Sequence, residues 1–256
     1  MHCRYGCITE DFSAKGFWGD LLRKTMHKYD NVWVLDKRSE KALNEDPLMR
    51  GKVFLTPNSI EVPDECDLSP KEYNKIAFVG NLIPSKGLFE LIHAVADFDL
   101  KASLIIAGPG GADIVKKMEN ISGDKWNSQI KYVGKLKNED AVRLIKTVDF
   151  IVLASYYPSE AFPISIIEAM SNGKLVIATR RAAIPDMLTD IDGKPCGCLV
   201  REKSVEDIVN AIRWCQGHSK EADKMCEKAY EKVKACYRTD VVYELYRSLY
   251  NRLIVQ

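Results

Sequence analysis

The sequence predicts an α/β protein built around a doubly wound parallel sheet, and two observations support this prediction. From residue 75 onward, short apolar runs alternate with amphipathic helical stretches. The apolar runs lack the polar alternation of a half-exposed sheet, so we expect parallel strands covered by helices on both faces. At roughly 150 residues per domain, the 256 residues amount to about 1.7 domains, enough for one large core and part of a second.

The predicted strands of the main region are short and apolar. They are Lys75–Gly80, Ser103–Ala107, Ile130–Val133, Phe150–Ala154, Leu175–Thr179 and Cys198–Val200. The helices that separate or follow them are Leu88–Phe98, Ala112–Glu119, Glu139–Thr147, Pro163–Ser171, Ala182–Leu188 and Val205–Cys215. In the first helix, apolar residues recur from Leu88 to Val95 at i, i+3, i+4 and i+7, which is one helical face. The alternation predicts a Rossmann-like domain of about 150 residues.

Shorter elements flank this region on both sides. The first 64 residues predict helices near Phe17–Lys28 and Ser39–Asn44 and strands at Val32–Leu35 and Lys52–Leu55, followed by a proline-marked polar linker. The tail predicts a charged helix, Ser219–Tyr237, and a last helix, Asp240–Ile254, with a stripe of apolar residues and tyrosines. We therefore divide the chain into residues 1–64 (partial lobe and linker), 65–238 (main domain) and 239–256 (C-terminal helix).

Composition argues against several classes of protein. The 37 Lys and Arg residues against 36 Asp and Glu leave a net charge of +1, which argues against a nucleic-acid partner. The longest apolar runs hold about five residues, far fewer than a bilayer span requires. Residues 1–7 contain no apolar segment of a secretory signal, so a reducing cytoplasm is the expected compartment. The eight cysteines, Cys3 and Cys7 among them, lack zinc-site spacing and are expected to act as small hydrophobes.

Two glycine-containing turns argue against common nucleotide-binding motifs. Residues 80–87, GNLIPSKG, follow the first strand of the main region, where a dinucleotide-binding domain would place GxGxxG. Residues 108–111, GPGG, follow the second strand and also lack that spacing. A P-loop pattern is missing as well. A nicotinamide-dependent dehydrogenase and a Walker-type ATPase are therefore not expected.

The segment from Glu160 to Glu168, EAFPISIIE, has the strongest chemical signature in the chain. It follows a predicted strand and so lies at the carboxyl edge of the sheet, where open α/β sheets bind ligands. Pro163 suits the first helical position, which leaves the N–H groups of residues 164–166 free to bind phosphate. A carboxylate on either side can accept hydrogen bonds from hydroxyl groups. The pattern is typical of a nucleotide-sugar cradle, but the spacing alone also fits a solvated loop glutamate and a helix-surface charge.

In its wider context this segment resembles a known family. The pattern ExFPxxxxEAMxxGxxVxA, from Glu160 to Ala178, resembles the donor-binding segment of retaining glycosyltransferases of the GT-B fold, family GT4 (glycosyl transferases group 1). Other segments match the same family in order: Phe78–Gly87, Leu104–Gly108, Tyr132–Gly134, Val148–Ser155, Ile184–Leu188 and Gly197–Val200, with residues 56–58 similar to its interlobe linker. The resemblance implies a GT-B donor domain with an incomplete second α/β lobe.

The resemblance also implies a role for each matching position. Glu160 would contact the donor sugar at the reacting centre, Lys86 would neutralise the pyrophosphate, and Glu168 would hold the ribose hydroxyls. The alternative for Lys86 is an ordinary surface lysine at a helix start. The remaining donor-binding positions are Asn81 and Gly108 in the first two loops, Lys135 and Leu136 beside the nucleobase, and Phe162, Pro163, Ile164 and Ser165 around the distal phosphate.

One position departs from the family's pattern. Asn81 stands where the family commonly has an arginine, five residues before the lysine, as a second cation on the pyrophosphate. Asparagine can donate a hydrogen bond but carries no charge, which puts turnover in doubt more than nucleotide binding. Arg180 and Arg181, after a later strand, are further candidates, although the family gives no reason to expect them at the donor.

The implied activity is transfer of a hexose from a nucleotide-diphospho-sugar to a glycan, lipid or small-molecule acceptor, with retention of anomeric configuration. Fixed cations and amide dipoles would stabilise the leaving diphosphate, so neither a metal nor another cofactor is expected. The alternative is a non-catalytic nucleotide-sugar-binding module that needs a partner chain, or a second copy, to complete its active site. A nucleotide-sugar epimerase suits the motif poorly.

The flanking regions resemble the acceptor side of the family. Residues 1–64 resemble only the second half of the amino-terminal lobe, and the last helix resembles the one that packs back onto that lobe. His2 stands about where some family members have a histidine near the acceptor, and the alternative is a histidine on a frayed chain end. At most peripheral contact with a membrane is expected.

Overall fold

The computed structural model describes residues 1–3 and 8–254, with side chains up to residue 252. Cys7 and the side chain of Leu253 lie outside the described residues. The strands are β1 (His2–Cys3), β2 (Val32–Val34), β3 (Val53–Leu55), β4 (Lys75–Val79), β5 (Ser103–Ala107), β6 (Ile130–Tyr132), β7 (Phe150–Leu153), β8 (Leu175–Thr179) and β9 (Cys198–Val200).

The helices alternate with these strands along most of the chain. They are α1 (Ile8–Ser13), α2 (Phe17–Met26), α3 (Lys37–Asn44), α4 (Leu88–Asp97), α5 (Ala112–Ser122), α6 (Asn138–Thr147), α7 (Ile164–Ser171), α8 (Ile184–Met187), α9 (Val205–Gly217), α10 (Ser219–Cys236) and α11 (Thr239–Ile254). Short 3₁₀ turns lie at Pro84–Lys86 and Gly123–Lys125. No helix in the described part of the chain is long and apolar enough to cross a bilayer.

The main domain is a six-stranded parallel sheet in the order β6-β5-β4-β7-β8-β9. Both β7 and β8 are buried along their whole length, since helices cover the two faces of the sheet. The doubly wound α/β prediction is confirmed. In this order the chain reverses direction across the sheet between β4 and β7, and ligands of doubly wound sheets bind at the carboxyl ends beside that switch point.

A smaller parallel sheet in the order β1-β2-β3 has its own apolar core, in which Met26, Val32 and Leu43 are fully buried. The last helix, α11, contacts this sheet: the ring of Trp33 in β2 stacks on Tyr246 with centroids 5.2 Å apart. Two of the helix's predicted apolar positions, Val242 and Leu249, are buried. The boundaries at residues 64 and 238 remain a prediction.

Three local predictions differ from the structure. The sequence patterns missed β1 and α1, which have two and six residues and are too short for a periodicity to show. The predicted helix Ala182–Leu188 shrinks to α8, because Ala182 has a positive φ of 43°, outside the right-handed helical region. Pro163 caps α7 with an extended ψ of 118° and is not its first helical residue.

Candidate active site

The loops that follow β4 and β7 meet at the switch point of the six-stranded sheet. The first loop ends in the 3₁₀ turn Pro84–Lys86, which is closed by Gly87 in a left-handed conformation with φ 76°. A Cβ on Gly87 would lie 2.2 Å from the carbonyl oxygen of Ala154, so only glycine fits at this contact. The N–H of Tyr156 donates to the carbonyl of Ser85 at 2.7 Å and joins the two loops.

This junction brings Lys86 against Glu160. The distance from Lys86 Nζ to Glu160 Oε2 is 3.2 Å, and the two side chains are 18% and 7% exposed. The hydroxyl of Ser155 donates to the same carboxylate oxygen at 2.9 Å, and the Tyr157 ring lies 5.9 Å from the ammonium. The interpretation of Lys86 as an ordinary surface lysine is therefore wrong: the fold holds a cation and a carboxylate together at the ligand-binding edge.

The amino-terminal end of α7 directly follows Glu160. Because Pro163 is the cap, the N–H of Ile166 donates to its carbonyl at 3.2 Å. This bond corrects the prediction that residues 164–166 all offer free donors. The N–H groups of Ile164 and Ser165 lie in the first turn of α7, where the helix has no preceding turn whose carbonyls could accept from them. Phe162 is held in place by its carbonyl, which accepts from the Asn58 amide at 3.1 Å. The result is a positive helix end beside the ion pair.

Glu168 lies one turn further along α7 and is half-buried. It is not part of the ion pair between Lys86 and Glu160. It lines a cavity of about 600 Å³ together with Ile164, Asn138 and the linker residues 60–63. Burial raises the pKa of the Glu168 carboxyl above its ordinary value. A half-buried carboxylate facing a cavity is suited to accept hydrogen bonds from vicinal hydroxyl groups.

The raised pKa of Glu168 predicts a pH dependence of stability. The Glu168 carboxyl binds its proton more tightly in the folded state than in the unfolded chain. Its protonated form therefore contributes to the free energy of unfolding below the unfolded pKa of about 4.3, and this contribution is lost as the pH rises through the folded pKa. Relative to the wild type, the free energy of unfolding of Glu168→Gln should therefore be larger, meaning a more stable fold, at pH 7 than at pH 4. Urea unfolding at both pH values checks this; an unchanged difference would contradict it.

The loops after β5 and β6 lie beside the loop after β4. Gly108 donates its N–H to the carbonyl of Gly134 at 2.9 Å, and its own carbonyl accepts from the Tyr132 hydroxyl at 2.9 Å. Leu82 donates to the carbonyl of Pro109 at 2.9 Å. The predicted donor-binding positions at the ends of these loops are more open: Asn81 and Lys135 are exposed and Leu136 is half-buried.

The other predicted polar candidates have different surroundings. Arg181 Nε donates to the carbonyl of Tyr157 at 2.6 Å and its Nη1 contacts Glu202 at 2.9 Å, so this guanidinium fixes the loop after β7, while Arg180 is exposed. His2 is not on a frayed end, because it pairs with Trp33 as part of β1 and its ring stacks on that indole at 5.5 Å.

Sequence reasoning missed the residues that support the site. Ser155 is fully buried, donates to Glu160, and its own carbonyl accepts from the Thr179 hydroxyl at 2.5 Å. The available signal was its position, a polar residue directly after an entirely apolar strand. Asn58 lies in the linker segment that resembles the family, but its contact with Phe162 could not be predicted, because the two residues are distant in sequence.

Among the residues that the structure describes, no group of three or more His, Cys, Asp or Glu side chains is arranged to hold a metal ion. The cations and dipoles at the site are Lys86 and the α7 terminus. That the reaction needs no metal or cofactor remains a prediction.

Comparisons with known proteins agree with this arrangement. The family model described as glycosyl transferases group 1 matches residues 64–232. An uncharacterized glycosyltransferase of Methanocaldococcus jannaschii is 32% identical over 183 residues, 72% of this chain and 48% of the relative. The chain spans about half or less of the length of the curated relatives it matches first.

Solved structures show the same fold. Sucrose-phosphate synthase from Thermosynechococcus elongatus has a TM-score of 0.76 at 18% identity, over 99% of this chain and 67% of that one. HepE of Anabaena, solved in complex with UDP, has a TM-score of 0.77 at 18% identity, over 98% of this chain and 71% of that one. The family model covers well over half of the sequence and includes the switch-point loops, and the chain therefore belongs to the family of glycosyl transferases group 1.

Proposed function

We propose that this chain carries the donor-binding part of a GT4-like retaining glycosyltransferase that transfers a hexose from a nucleotide-diphospho-sugar. The observation that carries the proposal is the contact of Lys86 with Glu160 at 3.2 Å, beside the amino-terminal end of α7. A cation and a helix terminus suit a diphosphate, and the adjacent carboxylate suits sugar hydroxyls. HepE, which shares this fold, was solved in complex with UDP, and this supports a nucleotide-containing donor.

In the proposed reaction, the bond between the anomeric carbon and the diphosphate oxygen breaks while the acceptor oxygen forms the new bond on the same face. Negative charge then develops on the departing diphosphate. The Lys86 ammonium and the N–H groups of Ile164 and Ser165 are the fixed positive groups that would stabilise it. Glu160 would orient the sugar, and the acceptor proton would pass to a departing phosphate oxygen.

A second candidate is a nucleotide-sugar-binding module that needs a partner chain for turnover. It is favoured by Asn81, which is exposed and uncharged where a second cation is usual in the family. Arg181 does not replace that cation, because its guanidinium contacts Tyr157 and Glu202. Under this hypothesis the chain binds the donor but does not transfer its sugar.

A thermal-shift panel of UDP-, GDP- and ADP-sugars tests donor binding. At 100 times its dissociation constant, the preferred donor should stabilise the wild-type chain by about 2.7 kcal/mol. Glu168→Ala should lose most of this stabilisation, while Glu227→Ala, an exposed glutamate on α10, should keep it. Donor binding without transfer or donor hydrolysis selects the module hypothesis, and the lack of any nucleotide-sugar effect on the wild type contradicts both.

A further inference from the structure

A charged cavity lies at the end of the six-stranded sheet where the parallel strands begin, opposite to the end that carries Glu160. It has a volume of about 310 Å³ and is bordered by the starts of β4, β7 and β8, by loop residues 67–74 and by the end of α6. The three strands have four or five residues, so their two ends are about 13–17 Å apart. This cavity therefore lies at the opposite end of these strands from Lys86 and Glu160, although it shares Lys146 with the cavity that Glu168 lines.

Positive side chains outnumber negative ones in this cavity. Its lining includes four lysines, Lys71, Lys75, Lys146 and Lys174, and three carboxylates, Asp67, Glu72 and Asp149. The carboxylates already accept hydrogen bonds from nearby groups of the chain: Asp149 from the N–H groups of Asn74 and Lys75 at 2.8 and 2.9 Å, Asp67 from Ser69 at 3.0 and 2.5 Å, and Glu72 from the Asn74 amide at 2.9 Å. Each of the three carboxylates thus has one oxygen that accepts hydrogen bonds from the chain.

The most buried cation of the cavity is Lys174, which is only 3% exposed. Its ammonium makes no hydrogen bond or ion pair with any residue that the structure describes, although Asp67 and Asp149 attract it at longer range. Lys232, the other buried lysine, differs because its ammonium donates to the carbonyls of Asp186 and Thr189. Burial, followed by the nearby Lys71, lowers the pKa of Lys174. Lys174 lines the cavity, so an anion bound there would give its ammonium the acceptor that the described residues do not supply.

We propose that this cavity binds a phosphate-type oxyanion, either free phosphate or the phosphoryl group of a small metabolite, with Lys174 as its innermost donor. Lys71 and Lys146 line the same cavity and supply further positive charge. The carboxyl-terminal ends of α6 and α7 also lie at this edge, and their dipoles favour cations over anions. We therefore expect a weak site, with a dissociation constant of about 1 mM.

The test is a titration of the full chain with inorganic phosphate against sodium chloride of equal ionic strength. Backbone amide chemical shifts are followed by NMR, together with the melting temperature. Saturable shifts are expected at Ser69, Asn74 and Lys75. Lys174→Met should raise the dissociation constant at least tenfold, whereas Lys116→Met, an exposed lysine of α5, should leave it within twofold. Titration with methyl phosphate distinguishes free phosphate from the phosphoryl group of a metabolite. An affinity equal to that for inorganic phosphate indicates a phosphoryl group as the ligand, and much weaker binding indicates the free ion.

Lys86→Met separates this site from the donor site. Shifts at residues 69–75 should persist in that variant. The proposal is overturned if phosphate causes no saturable shift at residues 69–75, if Lys174→Met binds as tightly as the wild type, or if the shifts are confined to the loops beside Lys86 and disappear in Lys86→Met. Should Lys174→Met fail to fold, the positions of the wild-type shifts decide the question.

Discussion

Glu160→Gln is expected to reduce sugar transfer, or donor hydrolysis, by about 10²–10³-fold while the fold stays intact. The substitution keeps the shape of the side chain and an oxygen that can accept from Ser155, which donates to Glu160 at 2.9 Å. It removes the negative charge 3.2 Å from Lys86. Under the proposed function this charge orients the donor sugar and Lys86, so the loss should appear mainly in kcat.

The matched control is Glu202→Gln. Glu202 is a glutamate near the same loop, whose ion pair with Arg181 at 2.9 Å is more exposed. Its loss should change the rate by less than about threefold, because exposed pairs contribute little. The measurement is initial rate against donor concentration, with circular dichroism to confirm the fold. Full activity in Glu160→Gln would show that the role assigned to Glu160 is wrong.

Gly87→Ala is expected to have the largest effect on stability, a loss of about 3 kcal/mol or more. A left-handed backbone costs a non-glycine residue roughly 1–2 kcal/mol. At Gly87 there is a second cost, because the new Cβ would lie 2.2 Å from the Ala154 carbonyl oxygen, and backbone atoms cannot move aside cheaply. The two switch-point loops must therefore separate, which also moves Lys86 away from Glu160.

Gly51→Ala isolates the steric part of this loss. Gly51 has a similar φ of 80°, but a Cβ there would have no neighbour within 4 Å. It should therefore cost only the roughly 1–2 kcal/mol of backbone strain. Urea unfolding of both variants measures the difference, and the donor-induced thermal shift should decrease only in Gly87→Ala. Equal destabilisation of the two variants would rule out the close contact at Ala154 as its cause.

Much of the fold could be predicted from sequence patterns. The strands Ser103–Ala107, Leu175–Thr179 and Cys198–Val200 have the predicted bounds, because the strands of a parallel sheet covered on both faces are continuous apolar runs bordered by turn residues. The very short β1 could not be predicted, because its two residues carry no pattern and it is defined by pairing with β2. Ala182 shortened a predicted helix through a backbone conformation that its side chain does not reveal.

The candidate site was predictable as separate residues but not as an arrangement. Glu160 and Glu168 could be named from the segment that joins a predicted strand to a helix, and Lys86 from the resemblance of its loop to that of the family. Their spatial arrangement could not be derived from the sequence. Lys86 pairs with Glu160, whereas Glu168 lies farther along α7 and lines a cavity with the linker. The supporting contacts of Ser155 and Asn58 were missed because both depend on the course of the loops.

The sequence by itself determined the alternation of helices and parallel strands, because hydrophobic periodicity, proline and glycine act over a few neighbouring residues. The family was identified from the resemblance of ordered motifs, above all the segment from Glu160 to Ala178. Only the tertiary structure decided which charges have partners. Lys86 is paired with Glu160 because Gly87 allows the loops after β4 and β7 to approach each other. The side chain of Lys174 is largely buried, and its ammonium has no acceptor among the described residues. The energy of a charge depends on its burial and on its neighbours in space, and these come from segments far apart in the chain.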